Sequence, residues 1–104
     1  MHKLVIYMAD VLRSDTKLRG NIIDKAGGLT EVLAIGSWNN GKSIETEDAV
    51  IMTIFCKTRD IAGEVLRLVM EAAGTAGEQA IMVDWTGPDG RVMTRGEVTC
   101  QSTK

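Results

Sequence analysis

Ala49-Val50-Ile51-Met52-Thr53-Ile54-Phe55-Cys56 is apolar at nearly every position. A strand sends successive side chains to opposite faces, so a half-solvated strand reads as apolar–polar alternation. Here Val50, Met52 and Ile54 are apolar on one parity, and Ile51 and Phe55 on the other. That pattern predicts a strand covered on both faces, at the centre of a sheet. Lys3-Leu4-Val5-Ile6-Tyr7-Met8 repeats it, with Leu4, Ile6 and Met8 on one parity and Val5 and Tyr7 on the other. Two central strands are expected, one over residues 3–8 and one over about 47–57.

The segments between and beyond them supply the rest. After Ala9-Asp10, Ser14 or Asp15 caps a helix whose apolar positions Leu18, Ile22 and Ala26 recur every four residues, and Gly27-Gly28 ends it. Gly20 weakens that helix by about 1 kcal/mol relative to alanine. A second strand is expected over 29–35, where Leu29, Glu31, Leu33 and Ile35 alternate with Thr30, Val32 and Ala34. Asn39-Asn40-Gly41 then makes a hairpin turn, because both residue types tolerate positive φ. A second helix begins near Thr58 to Asp60, sets Ile61, Val65, Leu68, Val69 and Ala72 on one face, and stops at Gly74. Glu64, Arg67 and Glu71 occupy its solvent side. Residues 80–85 form a fourth strand, Gly87-Pro88-Asp89-Gly90 a turn, and residues 91–100 a returning strand. The order is βαββαβ plus one strand, in a single domain over residues 1–104. In a ferredoxin-like α+β sandwich the first and third strands are central, and these are the two runs with apolar residues on both parities.

Two helices cover one face of such a sheet, so the second apolar face needs another cover. The expectation is a homo-oligomer packed through its sheets. The competing arrangement folds the last hairpin over that face.

Composition narrows the function classes. The chain has 104 residues, 44% hydrophobic and 25% charged, with a net charge of −2. A basic excess of the kind that releases counterions from nucleic acid is missing, which disfavours a nucleic-acid partner. No run reaches the length of apolar sequence that spans a bilayer, and the start lacks a signal-peptide pattern, so a cytoplasmic protein with no membrane partner is expected. Cys56 and Cys100 lack CxxC spacing, and His2 is the sole histidine, so neither a metal nor another cofactor is expected.

Several motifs have simpler readings. Gly36-Ser37-Trp38-Asn39-Asn40-Gly41-Lys42-Ser43 fits GxxxxGK[ST], but a phosphate-binding loop must open a helix, and only Ile44 to Asp48 intervene before the next strand. A hairpin turn is the better account. Tyr7 and Phe55 sit where an RNA-recognition sheet displays stacking aromatics, but the third strand lacks that module's basic residues. No serine or cysteine has an identifiable base, so the expectation is a non-enzymatic protein. The turn Gly74-Thr75-Ala76-Gly77 offers backbone N–H groups for an anion, and Arg91 and Arg95 could supply charge-assisted contacts to a small phosphorylated ligand.

Gly28-Leu29-Thr30 with Gly36, the turn Ala72-Ala73-Gly74-Thr75-Ala76-Gly77 entering Ile81-Met82-Val83, and Thr94-Arg95-Gly96-Glu97 together resemble the PII signalling superfamily and its CutA-type relatives. The segment from Trp38 to Ser43 leading to Thr58 is similar to the short CutA hairpin. The resemblance implies a trimer with intersubunit clefts for nucleotides, Gly74, Thr75 and Gly77 cradling phosphates and Arg91 and Arg95 neutralising them. The expected function is therefore a homo-oligomer that senses or sequesters such a ligand. The alternative is a small interaction module or inhibitor, possible cargo of a mobile element, that grips a protein partner through Trp38, Lys42 and the exposed sheet edge.

Overall fold

The computed structural model describes residues 1–10, 12 and 15–100. Its elements are β1 (His2–Ala9), α1 (Thr16–Ala26), β2 (Thr30–Asn39), β3 (Ile44–Cys56), α2 (Arg59–Thr75), β4 (Ala80–Thr86) and β5 (Val92–Thr99). All five strands form one antiparallel sheet in the order β2-β3-β1-β4-β5. The four-strand part is the ferredoxin-like arrangement, and β5 adds an edge beside β4. The final hairpin therefore widens the sheet instead of folding across it.

Both helices lie on one face. Leu4, Ile6 and Met8 of β1, Val50, Met52, Ile54 and Cys56 of β3, and Ile81 and Val83 of β4 point towards them and are buried. They meet Ala62, Val65, Val69 and Ala73 of α2, and Leu18 and Ile22 of α1. Burying a side chain of this size removes it from water for about 1.5–3 kcal/mol each, and this layer supplies most of the stabilisation. Val65 and Val69 of the expected α2 stripe are buried, and Ala62 and Ala73 complete it. Ile61, Leu68 and Ala72 are only partly buried, at the margin of the core.

The ends of the helices follow local rules. Asp15 caps α1, its Oδ1 accepting from the Leu18 N–H at 2.8 Å; the alternative cap, Ser14, lies outside the described residues. Gly27 ends α1 at φ 92°, a left-handed conformation that costs glycine nothing, and donates to the Ile23 carbonyl. Thr58 caps α2 through the Ile61 N–H. Burial pushes the thiols of Cys56 and Cys100 up from their ordinary value, and both are unpaired.

Arg19 ties α1 to the sheet. Its Nε and Nη2 donate to the two carboxylate oxygens of Glu31 on β2, at 2.6 and 2.8 Å, and Nη1 donates to the carbonyls of Leu12 and Asp15. The hydrogen bond to Glu31 is the main cause that raises the guanidinium pKa. Arg19→Met keeps the aliphatic stem and removes every one of these donors. It is expected to cost about 1–2 kcal/mol, since it leaves part-buried acceptors unmatched, with urea denaturation as the check.

Beyond residue 33 the β2–β3 pair runs past the helices as an arm. Strand pairing continues to Asn39↔Ile44, four residues past the expected end of the second strand at Ile35 and three before the expected start of the third at Glu47. Asn40 closes the tip: its Oδ1 accepts from the Lys42 and Ser43 N–H groups, and its Nδ2 donates to Glu45. The glycine–lysine–serine motif is thus a hairpin turn. Among the described residues no helix is long and apolar enough to cross a membrane.

Candidate functional site: the open face of the sheet

The face turned away from the helices follows from the registers. Val32, Ile51, Tyr7, Met82 and Glu97 lie in one row across all five strands, and Thr30, Thr53, Val5, Asp84 and Arg95 in the next. Phe55 and Lys3 begin a third row, opposite Thr86. Adjacent strands are about 4.8 Å apart and rows on one face about 7 Å apart, so Tyr7, Phe55, Asp84 and Arg95 share one patch. Tyr7, Phe55, Val32 and Met82 are 44–54% exposed, a large apolar area for a surface.

Charge sits beside those rings. Asp84 is partly buried, accepts from the Thr86 hydroxyl at 3.3 Å and faces Arg95 at 3.4 Å. A pair of this length holds loosely, leaving both groups able to turn to a ligand. Lys3 adds a second cation and Glu97 a second anion at the margin. On the arm side the floor drops to small residues, Ala9, Ala49, Ala34 and Gly36, before rising again at Trp38 opposite Glu45. The patch thus combines aromatic faces, a carboxylate and a guanidinium on rigid strands, which suits a flat heteroaromatic ligand with groups of both charges.

The sequence-predicted site residues are dispersed. Arg95 belongs to this face. Arg91 stands at the β4–β5 turn, with its N–H and its guanidinium both on Asp89. Gly74 and Thr75 form the last turn of α2, on the helical layer, and Gly77 follows at φ 100°. There the N–H groups of Ala76, Gly77 and Glu78 are bonded to the carbonyls of Ala72, Gly74 and Ala73. A helix C-terminus also presents the negative end of its dipole, so within one subunit this turn is a cap and not an anion cradle. It lies at the start of β4, whereas Arg91 lies beyond its end, about 20 Å along the strand. Trp38 and Lys42 are at the arm, Lys42 in the exposed tip.

Sequence reasoning did not single out Asp84, Lys3, Met82 and Glu97 as site residues, and set Tyr7 and Phe55 aside once the RNA-recognition reading failed. The available signal was parity: each falls on the strand phase opposite the core. The concave places elsewhere are shallow, such as a groove of about 260 Å³ between α1 and α2 lined by Asp15, Lys17, Asn21 and Leu68.

No family model matches the chain, and no curated protein matches it. Solved structures do. A phage SAM lyase in complex with S-methyl-5'-thioadenosine superposes with a TM-score of 0.71 and 16% identity, over 94% of this chain and 88% of that one. The phage SAM lyase in its apo state gives 0.69 and 16%, over 99% and 92%. At that identity the likeness establishes the fold. It also overturns the expectation of a non-enzymatic sensor or interaction module: the architecture found here over almost the whole chain is that of solved structures of an enzyme. The expectation rested on the lack of a nucleophile–base pair in the sequence.

Proposed function

We propose that this chain is an enzyme that cleaves S-adenosylmethionine (SAM) at its sulfonium centre, with the substrate held on the open sheet face. What carries the reading is the fold shared with the phage SAM lyase from end to end. The chemistry of the face agrees with it. Adenine stacks on Tyr7 or Phe55, the substrate carboxylate meets Arg95 or Lys3, and Asp84 faces its ammonium or its sulfonium. The sulfur already carries a positive charge. When its bond to the methionine side chain breaks, the bonding pair goes to sulfur and leaves a neutral thioether, S-methyl-5'-thioadenosine, with no acid required. The carbon fragment is completed without water: its own carboxylate oxygen bonds to the carbon that sulfur leaves and closes a lactone, or an adjacent proton passes to the Asp84 carboxylate as a carbon–carbon double bond forms. Charge is annihilated along this path, so a dry, apolar surround such as Val5, Val32, Ile51 and Met82 favours the transition state over the ground state.

A homo-oligomer, with the trimer implied by the PII resemblance as its expected form, would supply that dryness by covering the open face. Full-length protein incubated with SAM is expected to accumulate S-methyl-5'-thioadenosine, read by mass spectrometry. Intact SAM, together with no binding of S-methyl-5'-thioadenosine by calorimetry, would sink the proposal.

A further inference from the structure

Trp85 follows Asp84 on β4 but faces the opposite way, on the helix side of the sheet, where it is half-buried at the margin of the core. Its indole Nε1 donates to His2 Nδ1 at 3.1 Å, and the two rings meet edge to face at 5.9 Å. The one polar atom of the indole is thus satisfied inside the protein, and the ring is fixed as an apolar platform. An open groove of about 420 Å³ lies against it, walled by Arg59, Asp60, Gly63, Glu64 and Arg67 from the first turns of α2. Gly63 stands inside a 17-residue helix, where glycine is the least favourable residue after proline. Nothing in the subunit requires it, since a methyl group at that position would meet no atom within 4 Å. A glycine without a packing reason leaves a gap through which a ligand can approach the helix backbone.

The charges of the groove divide into two sets. Glu64 is held by Lys25 and Arg67 by Glu71, each at 2.9 Å. Arg59 and Asp60 have no ion pair and no side-chain hydrogen bond among the described residues. These two are adjacent, opposite in sign and beside the indole. A simple anion would be repelled by Asp60 and a simple cation by Arg59, whereas a molecule with both charges on one carbon satisfies the pair. We infer that this groove binds a free α-amino acid with an aromatic side chain. The carboxylate meets Arg59, the ammonium meets Asp60, and the ring stacks on Trp85 over Gly63. Both charges are exposed to water, so the affinity is modest, with Kd about 0.1–1 mM. The site lies across the sheet from the open face and does not depend on the lyase reading.

The experiment is titration of the isotope-labelled full chain with L-phenylalanine, followed by NMR. The chain has two tryptophans, so Trp38 on the arm serves as the internal reference. The Trp85 indole and Gly63 amide signals are expected to shift along one saturating curve while the Trp38 indole stays in place. Phenylpropionate, which lacks the ammonium, and phenethylamine, which lacks the carboxylate, are each expected to bind at least about tenfold more weakly. Gly63→Leu fills the gap and puts a good helix former in place of glycine. It is expected to raise the midpoint of thermal unfolding by a few degrees and to weaken L-phenylalanine binding at least about tenfold. Binding lost together with stability gained cannot be misfolding. A Trp85 indole unmoved at about 20 mM L-phenylalanine, equal affinity for the three compounds, or full affinity in Gly63→Leu overturns the inference.

Discussion

Replacing Ile6 with alanine is expected to lower the unfolding free energy by about 3–4 kcal/mol, the upper part of the range for such a truncation. Ile6 is fully buried at the middle of the central strand. Its neighbours across the sheet are Met52 of β3 and Val83 of β4, both buried, and α2 closes the layer above. Strands on both sides and a helix above leave little room for the site to collapse, so the truncation leaves a cavity in place. Domains of this size are stable by about 5–15 kcal/mol, so the loss is a large fraction of the whole. The midpoint of thermal unfolding is expected to fall by roughly 15–25 °C. A midpoint within about 5 °C of wild type would mean that the β1 centre is not packed as described.

Tyr7, the next residue, faces the other way, and the expected effects exchange. Tyr7→Ala is expected to reduce kcat/KM for SAM by about 10–100-fold, from the loss of about 1–3 kcal/mol of stacking on the adenine. Its ring is 44% exposed in the subunit, so the cost to subunit stability is expected to be small. Tyr7→Phe restores the ring without the hydroxyl and is expected to restore most of the turnover. Steady-state kinetics and thermal unfolding on the same preparations decide the matter. If Tyr7→Ala loses stability and activity in proportion, the ring is structural; if activity is unchanged, the substrate lies elsewhere.

The difference between these neighbouring residues is the part of the fold that was legible. Apolar side chains on both parities of 3–8 and 49–56 put β1 and β3 in the centre, and their order with the helices gave the sandwich. The arm was not legible. Gly36, Ser37, Trp38 and Asn39 extend β2 by backbone pairing to Glu47, Thr46, Glu45 and Ile44, and none of them is fully buried. With no buried face there is no period to read. On α2, Val65 and Val69 were read correctly, but Ile61 and Leu68 were placed in the core ahead of the smaller Ala62 and Ala73, size being taken for depth. At the Gly74–Gly77 turn, composition indicated free N–H groups, but the Ala76, Gly77 and Glu78 amides are spent on the helix end. The open face was missed for a different reason: Asp84, Arg95 and Lys3 form no nucleophile–base pair, and they come together only once the strand registers are known.

The strand order also fixes the sequence in which the chain can complete itself. The β2–β3 and β4–β5 hairpins join neighbours across turns of a few residues and close as soon as they are made. β1, synthesised first, pairs with β3 and with β4, the latter as far along the chain as Lys3↔Thr86. Its two ladders enclose the longest loops in the molecule, and the entropy of closing them comes before any gain from packing Leu4 and Ile6. A nascent chain on the ribosome therefore holds its most apolar strand unpaired on one side until β4 has emerged.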